Sequence, residues 1–154
     1  MKVLWAPWRM EYITSEKEKT KCIFCIGHDR KCDEDRLILY AGPMSIVMMN
    51  KFPYSNGHIL IAPVRHTSSL EDLSAEESLD LILKVRNTME ILKKDMRPEG
   101  FNVGMNLGKV AGAGVEEHLH FHLVPRWNGD TNFMTVAGDV RVIPEHIKET
   151  YNRL

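Results

Sequence analysis

The run His118-Leu119-His120-Phe121-His122-Leu123 alternates an imidazole with an apolar side chain at every step. A helix would put His120 on the side opposite His118 and His122. An extended strand instead places all three on one face and sends Leu119, Phe121 and Leu123 to the other, towards a core. A chain organised by this run must contain a sheet with one apolar face and one imidazole-lined face. At roughly 3.3 Å per residue, neighbouring histidines stand about 6.6 Å apart and the outer two about 13 Å. Zinc–nitrogen bonds measure about 2.1 Å, so one ion collects at most two of the three rings. The spacing suits a row of imidazoles along an elongated substrate. Clustered imidazoles each need a partner, which favours a site over a merely histidine-rich polar face.

The rest of the chain supplies the other strands. Leu37-Ile38-Leu39-Tyr40, Ser45 to Asn50, His58 to Ala62 and Phe101 to Asn106 read as four strands, and His118 to Val124 as the fifth. Ser74 followed by Glu77 is a capping box. Ile82, Val85, Met89, Leu92 and Met96 then recur at spacings of three and four, the pattern of one apolar helix face. Asp80 with Lys84, and Glu90 with Lys94, are ordered as favourable helical ion pairs. Pro98 and Gly100 stop the helix, and Pro144 to Leu154 holds a short terminal one. Strands joined by turns around one inserted helix predict an α+β fold with an antiparallel sheet. The 154 residues form one domain, 1–154, with 1–35 as an N-terminal arm.

Composition excludes some partners. The formal net charge of −1 provides no basic field for a nucleic-acid backbone, so a bound nucleotide is expected to be small and held by local groups. No apolar run is long enough to span a membrane, and the apolar stretch at the N-terminus is broken by Pro7 and Arg9, unlike a signal peptide. A cytoplasmic location follows as the expectation, and three cysteines, an odd number, agree with a reducing compartment. Within it, Cys22-Ile23-Phe24-Cys25 offers two zinc ligands at standard spacing, with free core thiols, a redox pair or a metal-free relic as the competing readings. Cys32 reads as unpaired, His28 and His146 as surface residues, and Trp5 and Trp8 as a packed arm at a subunit interface.

Ahead of the histidine run, Asn106-Leu107-Gly108-Lys109-Val110-Ala111-Gly112-Ala113-Gly114 brings small residues whose amides can face an anion. It is no P-loop, since it lacks the lysine-serine/threonine ending and leads into a strand. Together with Asn50 and the segment Gly57 to His66, the stretch Asn106 through Trp127 resembles the histidine triad superfamily. His118 to Met134 is most similar to the branch of diadenosine polyphosphate hydrolases and phosphorylases, as is Leu4 to Ile13. The resemblance implies a five-stranded half-barrel sheet covered by one long helix. It implies that His120 is the nucleophile, that His122 and His58 contact the α-phosphate, and that Asn50 holds the ribose. Asn106, Gly112, Ala113 and Gly114 would line the phosphate path, and the chain would form a homodimer. Some superfamily members, galactose-1-phosphate uridylyltransferases among them, are similar in pairing two cysteines with a histidine and the first triad histidine. That likeness implies structural zinc on Cys22, Cys25, His66 and His118, with His118 thus serving both the catalytic row and the metal.

The expected chemistry is attack of His120 on the α-phosphorus of a dinucleoside polyphosphate to form a nucleotidyl-histidine, released by water or inorganic phosphate. Magnesium is expected, if at all, as a companion of the polyphosphate. Many relatives carry glutamine, serine or threonine where this chain has Ala113, Gly114 and Val115, so backbone amides must replace a side-chain donor. A non-catalytic nucleotide-binding scaffold, a nucleoside phosphoramidase and an enzyme with a catalytic zinc stand as alternatives.

Overall fold

The computed structural model describes residues 22–27, 30–130, 143 and 145–154. The readings placed on Leu4 to Ile13, Trp5, Trp8, His28 and the stretch Thr131 to Met134 lie outside the described residues. The elements are β1 (Ile38–Ala41), β2 (Ser45–Met49), β3 (Ile59–Pro63), α1 (Ala75–Met96), β4 (Gly100–Met105), β5 (Phe121–Arg126) and α2 (Ile147–Arg153). The five strands form one sheet in the order β1-β2-β3-β5-β4, every neighbouring pair antiparallel. This is the expected α+β architecture, an open antiparallel sheet with one long helix and a short C-terminal one.

Helix α1 begins where its capping box predicts. Ser74 Oγ accepts from the Glu77 amide at 3.1 Å, and Glu77 Oε2 accepts from the Ser74 amide at 2.8 Å. Glu77 has a second partner, Arg65, which donates to its carboxylate at 3.0 and 2.8 Å and so ties the end of β3 to the helix start. Arg97 ends the helix in the left-handed region, φ 49° and ψ 51°, ahead of Pro98. Gly100 belongs to β4 instead of stopping the helix. The buried stripe is Leu81, Val85, Thr88 and Leu92 with Met89 and Met96 beside it, whereas Ile82 is exposed. Placing Ile82 on the core face is therefore wrong by about one position: it stands roughly 90° off the stripe's centre at 100° per residue. The Asp80–Lys84 pair is present at 4.0 Å, with the ammonium also lying 4.1 Å from the centre of the Tyr40 ring.

Both faces of the sheet are covered. On one, Val47, Met49, Ile59, Ile61 and Leu123 pack against Leu81, Val85 and Leu92 of α1. On the other, Ile38, Ile46, Met48, Leu60 and Ala62 pack against Phe24 from the N-terminal arm, with Cys22 and Ile26 beside it. All five residues of β2 and of β3 are buried, as strands covered on both sides require. Among the described residues no helix is long and apolar enough to cross a membrane.

The histidine strand departs from its expected length. Leu60 is the register partner of His122, so the histidines lie on the arm-covered face, but β5 starts only at Phe121. Before it the chain leaves the ladder. The Leu119 amide donates to the Thr67 carbonyl at 2.7 Å, and the His118 ring bonds the Pro63 carbonyl at 2.8 Å. His118 and Leu119 thus grip the end of β3 and the segment after it, and the stretch up to His120 takes no part in the β3 ladder.

Candidate active site

Three of the four histidines expected to be catalytic are buried: His58 and His118 are fully enclosed, and His120 is 5% exposed. Burial obliges each ring nitrogen to find a partner, and the partners fix the protons. The Asn50 side-chain oxygen accepts from the Phe52 amide at 2.9 Å, so its NH2 end is the one facing His58 Nδ1, at 3.2 Å. The Tyr54 amide donates to the same nitrogen at 3.0 Å. With two donors on Nδ1, His58 carries its proton on Nε2 and donates it to His122 Nδ1 at 2.9 Å. His122 in turn keeps its proton on Nε2, as a donor for an incoming oxygen.

His120 is set the opposite way. Its Nδ1 stands 2.9 Å from the His118 carbonyl, which can only accept, so the proton is on Nδ1 and Nε2 holds a lone pair. Burial pushes His120 below the ordinary imidazole range, opposed by that carbonyl. Burial and then the neighbouring His120 push His122 down to about 4. At neutral pH the site therefore places a bare nitrogen beside an N–H donor, with ring centres 4.9 Å apart. Tyr54 stacks on the assembly, 4.6 Å from His58 and 5.7 Å from His122 between centroids. From His122 a groove of about 230 Å³ runs along β4 and β5, walled by Tyr54 and floored by Asn102, Gly104, Asn106 and Val124.

Several expected roles change on this geometry. His58 is enclosed and its Nε2 is spent on His122, so it positions His122 and does not itself face a phosphate. His118 is likewise no reacting group: its Nε2 bonds Pro63 and its carbonyl orients His120. The Asn50 amide is engaged with His58 and the Phe52 backbone. Asn106 lines the groove beside His122. In the loop, the Gly112 amide bonds the Lys109 carbonyl at 3.0 Å and the Ala113 amide faces the Gly108 carbonyl at 3.4 Å. These amides close a 3-10 turn over Lys109–Ala111, and the phosphate cradle read from Gly112, Ala113 and Gly114 is thereby reduced to Gly114.

Cys22, Cys25, His66 and His118 do converge, with one candidate ligand atom from each lying within 4.8 Å of the others. His118 Nδ1 is 3.3 Å from Cys22 Sγ and 3.9 Å from Cys25 Sγ, and His66 Nδ1 is 3.3 Å from Cys25 Sγ. Tetrahedral zinc separates its sulfur and nitrogen ligands by about 3.4–3.8 Å. The donor set and spacing fit zinc, and the His118 Nε2–H on Pro63 leaves Nδ1 bare for it, the usual way a backbone partner orients a metal-binding imidazole. Sequence reasoning treated Phe24 only as a spacer between cysteines. Its ring lies 5.1 Å from His118 and 4.9 Å from His120, wedging the knuckle against the row. Tyr54 carries no functional signal in the sequence, and no periodicity marks either aromatic.

Comparison with known proteins finds relatives along most of the chain. The HIT domain model matches residues 32–129. The chain is 38% identical to AP-4-A phosphorylase of Mycobacterium tuberculosis (strain CDC 1551 / Oshkosh) over 154 residues, covering 96% of this chain and 79% of that protein. It is 32% identical to the asymmetrical bis(5'-nucleosyl)-tetraphosphatase of Schizosaccharomyces pombe over 93 residues, 60% of this chain and 50% of that one. A Zn-bound histidine triad family protein from Mycobacterium smegmatis superposes with a TM-score of 0.65 at 25% identity, over 86% of this chain and 88% of the other. The chain belongs to the histidine triad family, on the side of its diadenosine polyphosphate enzymes.

Proposed function

We propose that the protein cleaves dinucleoside polyphosphates such as diadenosine tetraphosphate through a nucleotidyl-histidine on His120. The opposed tautomers of His120 and His122 carry this reading: a lone pair and an N–H converge from neighbouring positions on one face. The His120 Nε2 lone pair forms a bond to the α-phosphorus as the bond to the bridging oxygen breaks, and the remaining polyphosphate leaves as an anion. The cation developing on the ring is stabilised by its Nδ1–H on the His118 carbonyl. The His122 Nε2–H, supported from behind by His58, donates to a non-bridging oxygen. Water then regenerates His120 with release of a mononucleotide, or inorganic phosphate does so with release of a nucleoside diphosphate. Kinship with a phosphorylase over nearly the whole chain favours phosphate as acceptor.

The test is product analysis from diadenosine tetraphosphate with and without inorganic phosphate. ADP plus ATP formed only with phosphate marks phosphorolysis; AMP plus ATP without it marks hydrolysis. Enzyme quenched during turnover should carry one nucleotidyl group on His120, and tight binding with neither adduct nor product would sink the catalytic reading.

Zinc held by Cys22, Cys25, His66 and His118 would be structural, fixing the arm and the ring whose carbonyl orients His120. Magnesium would come only with the polyphosphate. A homodimer is supported by the open edge of β4, where Val103 is exposed, and by Leu79 and Ile82 exposed on α1. Sedimentation at equilibrium tests it. A cytoplasmic setting suits the reduced cysteines.

A further inference from the structure

The C-terminal helix touches none of the reacting groups, yet a polar cluster joins it to the loop that orients them. Asn56 Nδ2 donates to Glu145 Oε2 at 3.2 Å. Thr150, fully buried on α2, places its hydroxyl 3.1 Å from Asn56 Oδ1 and also against Glu145. Arg153 holds Glu145 with two hydrogen bonds, at 3.0 and 2.8 Å, and reaches Asp95 of α1 at 2.8 Å. Both ends of the Asn56 amide are therefore engaged by the C-terminal segment. Asn56 lies in the turn that also supplies the Tyr54 amide to His58 Nδ1, the Tyr54 ring over His58 and His122, and the Ser55 carbonyl to the His58 amide at 3.2 Å. The turn is backed from below as well. Gly57 has φ +70°, and a Cβ there would come within 2.7 Å of Met96 Sδ.

We propose that Asn56, Glu145 and Thr150 are positioning residues for the catalytic row. They hold the 53–57 turn so that the Tyr54 amide stays on His58 Nδ1, which keeps the His58 proton on Nε2 and the His122 proton on the nitrogen facing substrate. The apolar contacts of that helix with the core are made by Ile147, Tyr151 and Leu154. What the hydroxyl adds is direction: a buried donor aimed at one end of one amide. The assignment of His122 as the donor to phosphate rests on the proposed function; the coupling from Thr150 to the histidine protons does not.

Thr150→Val keeps the shape and deletes the hydroxyl, and Thr150→Ser restores it. In Thr150→Val and in Asn56→Ala, kcat for diadenosine tetraphosphate is expected to fall about tenfold with KM within about twofold, and Thr150→Ser to recover most of the loss. Long-range 15N–1H spectra of the imidazoles give a readout independent of turnover. In the unmodified protein His58 and His122 both show the Nε2–H form, and Thr150→Val shifts them towards a mixture while His120 keeps Nδ1–H. A lowered melting temperature with unchanged kcat and unchanged histidine spectra would make the cluster a helix anchor only and overturn the proposal. Loss of the tautomer pattern in a protein with no turnover at all would leave the coupling standing and remove the proposed reaction instead.

Discussion

The two faces of the sheet are built from the same strands and stabilised differently. Along β2, Val47 and Met49 face the helix while Ile46 and Met48 face the arm; along β3, Ile59 and Ile61 face the helix while Leu60 and Ala62 face the arm. The helix-covered cluster is apolar throughout, and its stability follows from area removed from water with no directional demand. On the other face the apolar patch gives way to four histidines oriented by hydrogen bonds to specific ring nitrogens, so directional bonds decide the arrangement there. Stability can therefore be altered on one face with little effect on chemistry, while the other face resists even conservative change.

His120→Ala should break this contrast most severely if it is wrong. Turnover is expected to fall by about a thousandfold or more with little change in unfolding free energy, measured by burst kinetics and denaturant titration. Leu92→Ala, on the fully enclosed helix stripe, should cost about 3 kcal/mol of stability while the folded fraction keeps its kcat. Equal losses of kcat and stability in both variants would show that the faces are not separable. Stripping zinc with a chelator should lower kcat about tenfold by loosening the His118 carbonyl under His120, and re-addition should restore it. Ser74→Ala, which removes one half of the capping box, should cost about 1 kcal/mol with kcat unchanged.

The pH dependence of stability sharpens the comparison in another way, by locating a slope on one face. His122 has a folded pKa of about 4, below the ordinary 6.5, so between those values the unfolded chain binds the proton and the folded chain does not. Its contribution is fully present above pH 6.5 and is lost as pH falls towards 4. Replacing His122 by Phe should flatten that part of the curve. Turnover should stay high down to a lower pH than a free imidazole would allow, since His122 and His120 both remain neutral there.

The alternation of the triad, the Ser74–Glu77 box and the Asp80–Lys84 pair were legible because each is local: residues within four positions are neighbours once the element forms. The convergence of Cys22, Cys25, His66 and His118 came through family resemblance and not through any local period, their separations running to 96 residues. Other features carry no sequence signal. The His58–His122 bond joins residues 64 apart, and whether His58 meets substrate or supports another histidine depends on that single contact. The amides of Gly112 and Ala113 looked available because composition shows where backbone is unencumbered, not which carbonyl lies within reach.

The sequence by itself determined the strand and helix inventory, the single apolar helix face and the residue types needed for nucleotidyl transfer, since these follow from side-chain period and intrinsic chemistry. Only the tertiary structure decided which nitrogen of each histidine holds its proton, that an arm with Phe24 covers the reactive face, and that the ladder begins only at Phe121, after His120. The reason is physical: a proton's location on an imidazole is set by the nearest donor or acceptor in space, and whether a carbonyl two residues away, a turn amide four away or a group 55 or 64 residues away comes within reach depends on how the chain is folded there.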